Sequence, residues 1–411
     1  MEAKLALGEP RVLISRQAIL HNARVIRQSI GPGVKLCAMV KADAYGHGAK
    51  IVADTLCHFD GGDTDGFSAP AADQLGVATI EEAAALPLGE NSQTPVLIFR
   101  PVENVFLGRQ REAIELAVRR GWVLTVITSA AADDLNRVAQ SINHRARVQV
   151  MVDTGISRCG TSLDSLEHLL GHIASRPGLR LVGVSTHFAS SEEADDPFNR
   201  EQLRRFREAT DRYAQRDPRL IRHTANSGAI FFAPDAHLDM VRPGIALYGV
   251  DPTGTPNIDR ALKPVMRWTA PLLMIRDLPA GASVGYGQTW TAKSRTRVGL
   301  VPVGYADGYP RMYSNRAAMS VLGKLAPVLG RVSMDLTVID LTRVPQAVIG
   351  DEVTVMDNDP MSAVSVYQLA EWAETIPYEV FCRIGPRVKR VSLEQVEDVE
   401  PIADSSANDE T

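Results

Sequence analysis

Short apolar segments alternate with amphipathic helical segments along more than the first half of this chain. Strands that are apolar along their whole length are buried on both faces, which is typical of a parallel sheet covered by helices. Eight such strands predict a (β/α)8 barrel, although a doubly wound open sheet would show the same alternation. No Gly-x-Gly-x-x-Gly sequence follows the first strand, which disfavours a dinucleotide site. The eight strands are expected at 34–40, 75–78, 95–99, 124–128, 148–152, 179–186, 220–223 and 240–241.

The character of the sequence changes near residue 255, where Pro252-Thr253-Gly254-Thr255-Pro256 interrupts the alternation. The remainder is rich in β-like segments, and only 362–375 has a good helical pattern. We therefore expect a barrel domain over 11–255, a mostly β domain over 256–400 and a disordered, acidic tail over 401–411. The strands of the second domain are expected at 267–276, 297–303, 319–322, 325–332, 336–341, 352–356 and 380–391.

Composition and charge narrow the class of partner. The 411 residues carry a formal net charge of −5 with both signs interspersed, which argues against nucleic acid or an anionic membrane. No apolar run approaches the length of a membrane span and no signal peptide is evident, so we expect a cytoplasmic protein. The 4 cysteines show no CxxC spacing, and neither a disulfide nor a metal site is expected. The Gly/Asp-rich insertion at 59–66 is interpreted as a surface loop.

The segment Leu36–Ala49 contains the first candidate for chemistry, Lys41. An apolar run ends at this lysine and is followed by small residues, Tyr45 and two glycines. A buried parallel strand would place the amine at the mouth of a pocket. Loss of hydration there would lower the pKa of the amine and favour the neutral form that makes Schiff bases. The alternative is a lysine that merely ends a strand and points into water.

Further polar residues follow the carboxyl ends of other predicted strands, and in a barrel all these ends face one mouth. The hydroxyl groups of Tyr45 and Ser227 and the backbone amides of Gly244-Ile245 are donors of the kind that hold a phosphate. A lysine amine beside such a cradle indicates pyridoxal 5′-phosphate, with Arg242 facing the ring nitrogen. The strand-end residues are Lys41, Tyr45, Arg158, His187, Asn226, Ser227, Arg242 and Gly244.

The segment Val40-Lys41-Ala42-Asp43-Ala44-Tyr45-Gly46-His47-Gly48 resembles the cofactor-lysine signature of the alanine racemase family. Similar segments follow in family order from about residue 11 to residue 391, through both predicted domains. They are Val152–Gly155, Ser185–Ala189, His223–Ser227, Val241–Gly249, Val284–Gly287, Gly304–Gly308, Gly330–Asp335 and Tyr378-Glu379. The resemblance implies a pyridoxal-phosphate enzyme of fold type III, with an α/β barrel, a C-terminal β domain and a head-to-tail homodimer.

The same resemblance implies roles for individual residues. Lys41 would bind the cofactor, and Tyr286 of the partner subunit would be the second acid/base, because racemisation needs a group on each face of the reacting carbon. Cofactor contacts are implied for Tyr45, Arg158, His187, Asn226, Ser227, Arg242, Gly244, Ile245 and Tyr378. Substrate contacts are implied for Arg158, Met334 and Asp335. An entry corridor is implied for Tyr305, Arg311 and Arg331, for which ordinary domain-interface roles are the alternative.

An arginine opposite the ring nitrogen affects the chemistry. Because arginine stays protonated, the nitrogen opposite Arg242 should remain unprotonated. The electron sink is then weaker than with an aspartate partner, which we interpret as protection against transamination at some cost in rate.

One position departs from the family pattern. Met151 lies two residues before Asp153, where the family usually has a lysine, often carbamylated, that orients the arginine corresponding to Arg158. Methionine supplies no anion, and some relatives without this lysine have a broader substrate range. A smaller difference is Ile156-Ser157 in place of the usual Met-Gly.

The expected function is therefore interconversion of L- and D-alanine, a small-molecule reaction that supplies D-alanine for cell-wall peptidoglycan. Serine or a wider set of small amino acids is the closest alternative substrate. A decarboxylase of this fold is disfavoured, because such enzymes lack the tyrosine found in Val284–Gly287. An aldolase or dehydratase of this fold is also disfavoured, because it would need a zinc-binding His/Cys pair late in the chain. A cofactor-binding protein without activity is disfavoured too, because such proteins usually consist of the barrel alone and this chain has a predicted β domain as well.

Overall fold

The computed structural model describes residues 9–57, 70–89, 92–103 and 110–397 of the chain. The chain divides into two compact units. Of these described residues, those within 18–264 and 374–383 form the barrel unit, and those within 9–17, 265–373 and 384–397 form the β-rich unit. The predicted insertion loop at 59–66 and the predicted tail at 401–411 lie outside the described residues.

The first strand, β1 (Arg11–Ile14), belongs to the β-rich unit, and the eight strands that follow it form the barrel. They are β2 (Lys35–Met39), β3 (Gln74–Val77), β4 (Val96–Ile98), β5 (Val123–Val126), β6 (Ala146–Met151), β7 (Leu179–Ser185), β8 (Ile221–His223) and β9 (Met240–Val241). Each pairs in parallel with its neighbour in the order β8-β7-β6-β5-β4-β3-β2-β9. The ends are joined because Asp239 N–H donates to the Arg222 carbonyl (3.1 Å) and Arg242 N–H to the Ala225 carbonyl (2.8 Å). The predicted (β/α)8 barrel is confirmed.

Burial explains why these segments are strands. All three side chains of β4 are at most 1% exposed, as expected for a strand covered on both faces. Helices with one apolar face lie between the strands and begin at recognisable caps. Thr79, for example, forms a capping box with Glu82. None of the described helices is long and apolar enough to span a membrane.

The described helices of the whole chain are α1 (Arg16–Ile30), α2 (Ala49–Cys57), α3 (Ile80–Ala85), α4 (Arg111–Arg119), α5 (Ser129–Ser141), α6 (Leu163–Ala174), α7 (Pro197–Arg216), α8 (Ser227–Phe232), α9 (Val366–Trp372), α10 (Pro377–Arg383) and α11 (Leu393–Glu397). Short 3₁₀ turns lie at Pro234–Ala236, Ile245–Tyr248, Ile258–Arg260, Tyr286–Gln288 and Arg311–Tyr313.

The β-rich unit contains two sheets and a short hairpin. Its strands after β1 are β10 (Met266–Pro271), β11 (Met274–Leu278), β12 (Ser283–Val284), β13 (Trp290–Thr291), β14 (Thr296–Val301), β15 (Ala318–Val321), β16 (Lys324–Pro327), β17 (Thr337–Asp340), β18 (Glu352–Met356) and β19 (Lys389–Ser392). The six-stranded sheet has the order β16-β15-β18-β10-β1-β19, the three-stranded sheet has the order β11-β14-β17, and β12 pairs with β13. Trp268, Tyr309 and Tyr313 pack together in the core of this unit.

The boundary between the units differs from the one predicted at residue 255. The barrel unit continues to Pro264, and β1, which lies within the predicted barrel range 11–255, pairs with β10 and β19 of the β-rich unit. Residues 374–383, which include Tyr378, belong to the barrel unit. An apolar pattern shows that a segment is buried but does not show which strand it pairs with, so the sequence could not assign β1 to a sheet.

Two predicted strands of the second domain are also different in the structure. The segment 380–391 begins inside α10 and only later forms β19. Pro377 starts α10, a position where the missing N–H of proline costs nothing, and a short apolar run such as Val380-Phe381 does not distinguish a buried helix from a strand. The predicted strand 267–276 is interrupted after Pro271, and its two parts, β10 and β11, lie in different sheets.

Candidate active site

A cavity of about 790 Å³ lies at the carboxyl ends of the barrel strands. Every site residue that the sequence predicted within the barrel unit lines it. These residues are Lys41, Tyr45, Arg158, His187, Asn226, Ser227, Arg242, Gly244, Ile245 and Tyr378. Residues from five strand ends and from α10 therefore meet at one place, as the barrel topology requires.

Lys41 follows β2 at the start of a left-handed turn. The four residues Ala42–Tyr45 have φ angles of 53°, 53°, 55° and 53°. For residues other than glycine this conformation costs about 1–2 kcal/mol each, so surrounding contacts must hold it. Ala42 N–H donates to Glu82 Oε1 (2.9 Å), and Ala49 N–H donates to Asp43 Oδ1 (2.7 Å). The turn brings both Lys41 and Tyr45 to the cavity.

The environment of Lys41 favours its neutral amine. Burial is the main cause that lowers its pKa below the ordinary value, and the positive charge of Arg158 lowers it further, while Glu82 acts in the opposite direction. The Nζ atom lies 5.9 Å from the centre of the Tyr45 ring. The lowered pKa agrees with the expectation from the sequence.

Arg242 lines the cavity, is only 3% exposed and is held by several hydrogen bonds. Its Nη1 donates to His223 Nδ1 (2.9 Å), and its Nη2 donates to the carbonyl oxygens of Thr186 and Thr224 (both 2.9 Å). Burial lowers its pKa to about 10, so it remains a cation at neutral pH.

His187 lies beside Arg242 and is neutral. Its Nδ1 is 3.3 Å from Arg242 Nη2 and can act only as an acceptor there. Burial, followed by the charge of Arg242, lowers its pKa to about 3. The imidazole therefore presents its other nitrogen as a donor.

Hydroxyl and amide donors converge around Gly244. Ser227 Oγ accepts from Gly244 N–H (2.9 Å) and Ala246 N–H (3.2 Å), which leaves its own hydrogen to donate elsewhere. The Tyr45 hydroxyl lies against Gly244. Gly244 N–H is thus already used within the protein, whereas Ile245 N–H has no acceptor among the described residues. Of the two expected amides, only that of Ile245 is available for a ligand.

Asn226 and Tyr378 complete the lining near this group. Asn226 Oδ1 accepts from Ala229 N–H (3.2 Å) and caps α8, so this residue also shapes the loop after β8. The Tyr378 ring, carried by α10, has its centre 6.0 Å from that of Tyr45. Burial raises the pKa of both tyrosines, so both hydroxyl groups stay protonated and can donate.

The cavity also contains residues that were not predicted. Phe99 and Arg100 follow β4, and the strand-end rule that found the other residues would have found them too. Cys159 and Cys382 also line the cavity, and both are free thiols. Among the described lining residues, Lys41, Arg100, Arg158 and Arg242 are basic and none is a carboxylate, which suits an anionic ligand. In the described ranges, no cluster of His, Cys, Asp or Glu suits a metal ion.

Met151 ends β6 and is buried against this cavity. The loop that follows is held by Asp153, whose Oδ1 accepts from Gly155 N–H (2.8 Å) and Ser157 N–H (3.2 Å). The guanidinium of Arg158 has no hydrogen-bond or ion-pair partner within the described part of the chain. No described side chain takes the place of the lysine that the family usually has, often in its anionic carbamylated form, at the position of Met151.

The remaining predicted site residues lie in the β-rich unit and do not line this cavity in the described structure. They are Tyr286, Tyr305, Arg311, Arg331, Met334 and Asp335. Tyr286 is 72% exposed. It lies between Gly285 and Gly287, both in the left-handed region, and the Arg331 side chain lies against Gly287.

The other residues of this group lie on neighbouring loops. Tyr305 N–H donates to the Ser333 carbonyl (3.0 Å), and the Met334 carbonyl accepts from Ala306 N–H (3.0 Å). Asp335 forms an ion pair with Arg387 (2.8 Å). Arg311 begins a 3₁₀ turn. The structure thus brings Tyr305 next to Met334 and Tyr286 next to Arg331.

Comparison with known proteins shows similarity along both units. Residues 14–252 match the family model of the alanine racemase N-terminal domain, and residues 265–392 match that of the C-terminal domain. Alanine racemase 2 of Caldanaerobacter subterraneus subsp. tengcongensis is 36% identical over 386 residues, covering 93% of this chain and 94% of the relative.

Solved structures agree. Alanine racemase from Streptomyces coelicolor A3(2) superposes with a TM-score of 0.82 at 35% identity, covering 95% of this chain and 99% of that chain. The structure of alanine racemase from Bartonella henselae with covalently bound pyridoxal phosphate has a TM-score of 0.77 at 28% identity, covering 94% and 99%. The chain belongs to the alanine racemase family.

Proposed function

We propose that this chain is an amino-acid racemase that interconverts L- and D-alanine, with pyridoxal 5′-phosphate bound in the barrel cavity. The observation that carries the proposal is the position of the Lys41 amine. Its pKa is lowered, and it shares one cavity with a buried arginine and with a group of phosphate-type donors. A related alanine racemase holds pyridoxal phosphate covalently, which requires such an amine.

The donor set of the cavity fits this cofactor. The Tyr45 and Ser227 hydroxyl groups and the Ile245 amide would hold the phosphate, with Tyr378 beside them. Arg242 would face the ring nitrogen, and Arg158 the phenolic oxygen. His187 and Asn226 would contact the cofactor from the cavity lining. When bound, pyridoxal 5′-phosphate would withdraw electrons from the substrate and acidify the proton on its Cα atom.

Lys41 supplies one of the two proton-transfer groups. Its Nζ would hold the cofactor before the substrate arrives and would then take or return the Cα proton on one face. A lowered pKa suits both tasks, because the amine must be unprotonated to accept a proton at neutral pH.

Tyr286 supplies the second group, and we propose that it comes from a partner subunit. Inversion of Cα needs an acid/base on the face opposite Lys41. Tyr286 is 72% exposed and does not line the cavity of its own chain in the described structure, so a single chain leaves the second face without its acid/base. A homodimer with shared sites would complete both cavities.

The remaining residues would handle the substrate. Arg158, whose guanidinium has no partner in the described structure, is available for the substrate carboxylate, and Met334 and Asp335 of the partner subunit would contribute from the other side. Tyr305, Arg311 and Arg331 would line the entry. D-Alanine production for cell-wall peptidoglycan and a cytoplasmic location remain expectations from the sequence.

A broader substrate range is the second candidate. Met151 leaves Arg158 without the fixed anion that orients it in most of the family, so Arg158 can adjust to serine or other small amino acids. This variability would appear as activity on several substrates instead of one.

A panel of L-amino acids assayed for D-product tests the proposal, with Lys41→Ala and Tyr286→Phe as controls. We expect D-alanine to form, and expect both variants to lose at least about 10²-fold in rate. Unchanged racemisation in Lys41→Ala would overturn the mechanism, and no D-product from any amino acid would overturn the function.

A further inference from the structure

A chain of buried side chains connects Arg242 to the far side of the barrel core. Arg242 Nη1 lies 2.9 Å from His223 Nδ1, and His223 Nε2 lies 2.8 Å from Gln149 Oε1. Gln149 Nε2 donates to Thr125 Oγ1 (2.8 Å), which donates to the Ile98 carbonyl (2.6 Å). Thr125, Gln149 and His223 are each at most 1% exposed. Strands β4, β5, β6 and β8 and the segment after β9 thus share one hydrogen-bond chain.

The direction of this chain follows from its end. The Ile98 carbonyl can only accept, so the single hydrogen of Thr125 must point to it. Thr125 Oγ1 can then only accept from Gln149, which turns the Gln149 carbonyl oxygen toward His223. A flipped amide would place two oxygens together at Thr125 and leave both unsatisfied in the core.

The orientation of Gln149 determines the proton on His223. Facing a carbonyl oxygen, His223 Nε2 must carry a hydrogen, and facing an arginine N–H, His223 Nδ1 must be a lone pair. An imidazolium would place a second N–H and a second charge against Arg242 inside the core, which is strongly unfavourable. Burial and the charge of Arg242 accordingly keep the pKa of His223 well below its usual value.

The protonation of His223 affects which N–H groups Arg242 presents to the cavity. A guanidinium has five N–H groups, and three of those on Arg242 are used. His223 accepts from Nη1, and Thr186 and Thr224 accept from Nη2, with His187 Nδ1 also 3.3 Å from Nη2. Only the second hydrogen on Nη1 and the one on Nε remain for a ligand. If His223 stopped accepting, the guanidinium could rotate and present a different edge.

We propose that Gln149 is a positioning residue of this site, which holds His223 as a neutral acceptor and thereby fixes the edge that Arg242 presents to the cavity. The proposal deepens the proposed function, since it assumes that this edge faces the ring of the cofactor. Thr125 fixes the orientation of the Gln149 side-chain amide and is therefore the second positioning residue.

Histidine side-chain ¹⁵N NMR of the full-length protein, with and without pyridoxal 5′-phosphate, tests this directly. The chain has 9 histidines, and the His223 signal is the one lost in His223→Gln. In the unaltered protein we expect His223 to carry its hydrogen on Nε2 and not to titrate between about pH 6 and pH 9. A hydrogen on Nδ1, or titration in this range, would overturn the proposal.

Variants separate positioning from mere packing. Gln149→Glu places a carboxylate beside His223 Nε2, so we expect His223 to titrate in this range and the absorption band of the bound cofactor to shift with pH. Activity should fall on the order of tenfold as His223 becomes charged. Thr125→Val should weaken the Nε2–H preference, and Thr125→Ser, which keeps the hydroxyl group, should behave as the unaltered protein.

If Gln149→Glu does not fold, the protonation of His223 in the unaltered protein and in Thr125→Val still decides the question. Identical histidine spectra in Gln149→Glu and the unaltered protein would refute the positioning role proposed for Gln149. The expected nitrogen shifts in a protein without racemase activity would refute the proposed function and keep this inference.

Discussion

The Tyr45 hydroxyl oxygen lies 2.4 Å from the point that a Cβ atom on Gly244 would occupy. Non-bonded heavy atoms do not lie that close to a Cβ atom, so Tyr45 can keep its position only while residue 244 is glycine. The contact joins the left-handed turn after β2 to the loop after β9, and it sets the spacing of the proposed phosphate donors.

Gly244→Ala should therefore displace Tyr45 and weaken cofactor binding by about tenfold or more, because the phosphate donors would no longer converge. Titration of the cofactor-free protein with pyridoxal 5′-phosphate, followed by absorbance, measures this. Gly171→Ala is the matched control, since a Cβ atom there meets nothing within 4 Å on α6. This control should bind normally and gain about 0.5–1 kcal/mol in stability. Equal cofactor affinity in both variants would contradict the argument.

The lowered pKa of Lys41 makes stability depend on pH in the cofactor-free protein. The unfolded chain binds the lysine proton up to its ordinary pKa near 10.4, whereas the folded chain releases it earlier. Below the folded pKa, the charged Lys41 amine therefore lowers the free energy of unfolding. This destabilisation disappears as the pH rises through the ordinary pKa value. Lys41→Met should be more stable than the unaltered protein at neutral pH, with a difference that shrinks toward pH 10.5.

Urea unfolding of cofactor-free protein between about pH 7 and pH 11 measures this difference. Arg158 contributes to the lowered pKa, so the effect of Lys41→Met should be smaller in an Arg158→Met background. A difference that grows with pH would show that the sign is wrong.

Mixed dimers test whether Lys41 and Tyr286 of one site come from two subunits. Lys41→Ala and Tyr286→Phe proteins, each inactive alone, are unfolded together, mixed equally and refolded with cofactor. If the sites are shared, half of the dimers are hybrids with one intact site each, and activity should recover to about a quarter of normal. No recovery, with hybrid dimers demonstrated by differently tagged chains, would place both residues in one subunit.

Replacing Arg242 should change the outcome of the reaction. With Arg242→Glu, the ring nitrogen of the cofactor could hold a proton, its electron withdrawal would strengthen, and more turnovers should end in transamination. The carboxylate would also face the Thr186 and Thr224 carbonyl oxygens, so we expect a loss of about 3–5 kcal/mol in stability.

The ratio of keto acid to D-alanine formed measures the partition. Arg242→Gln, which keeps N–H donors without the charge, is the control and should show a smaller increase. An unchanged ratio in Arg242→Glu would contradict the role given to this arginine.

The sequence by itself determined the alternation of buried strands and helices and most of the polar residues that line the cavity, for a local reason. A strand buried on both faces is apolar along its length, and the first polar residue after it lies at the mouth that all parallel strands share. Lys41, His187 and Arg242 could therefore be assigned to one site without knowledge of any contact. Arg100 also follows a strand and lines the cavity, although it was not among the predicted site residues.

The tertiary structure decided the features that depend on distant partners. Gln149 reads as an ordinary strand residue, and its importance appears only because Thr125, 24 residues away, and His223, 74 residues away, meet it inside the barrel. The pairing of β1 with β10 and the helical form of the segment around Tyr378 have the same origin. Apolar patterning records that a residue is buried, whereas hydrogen-bond direction and strand partner are set by the groups that folding brings together.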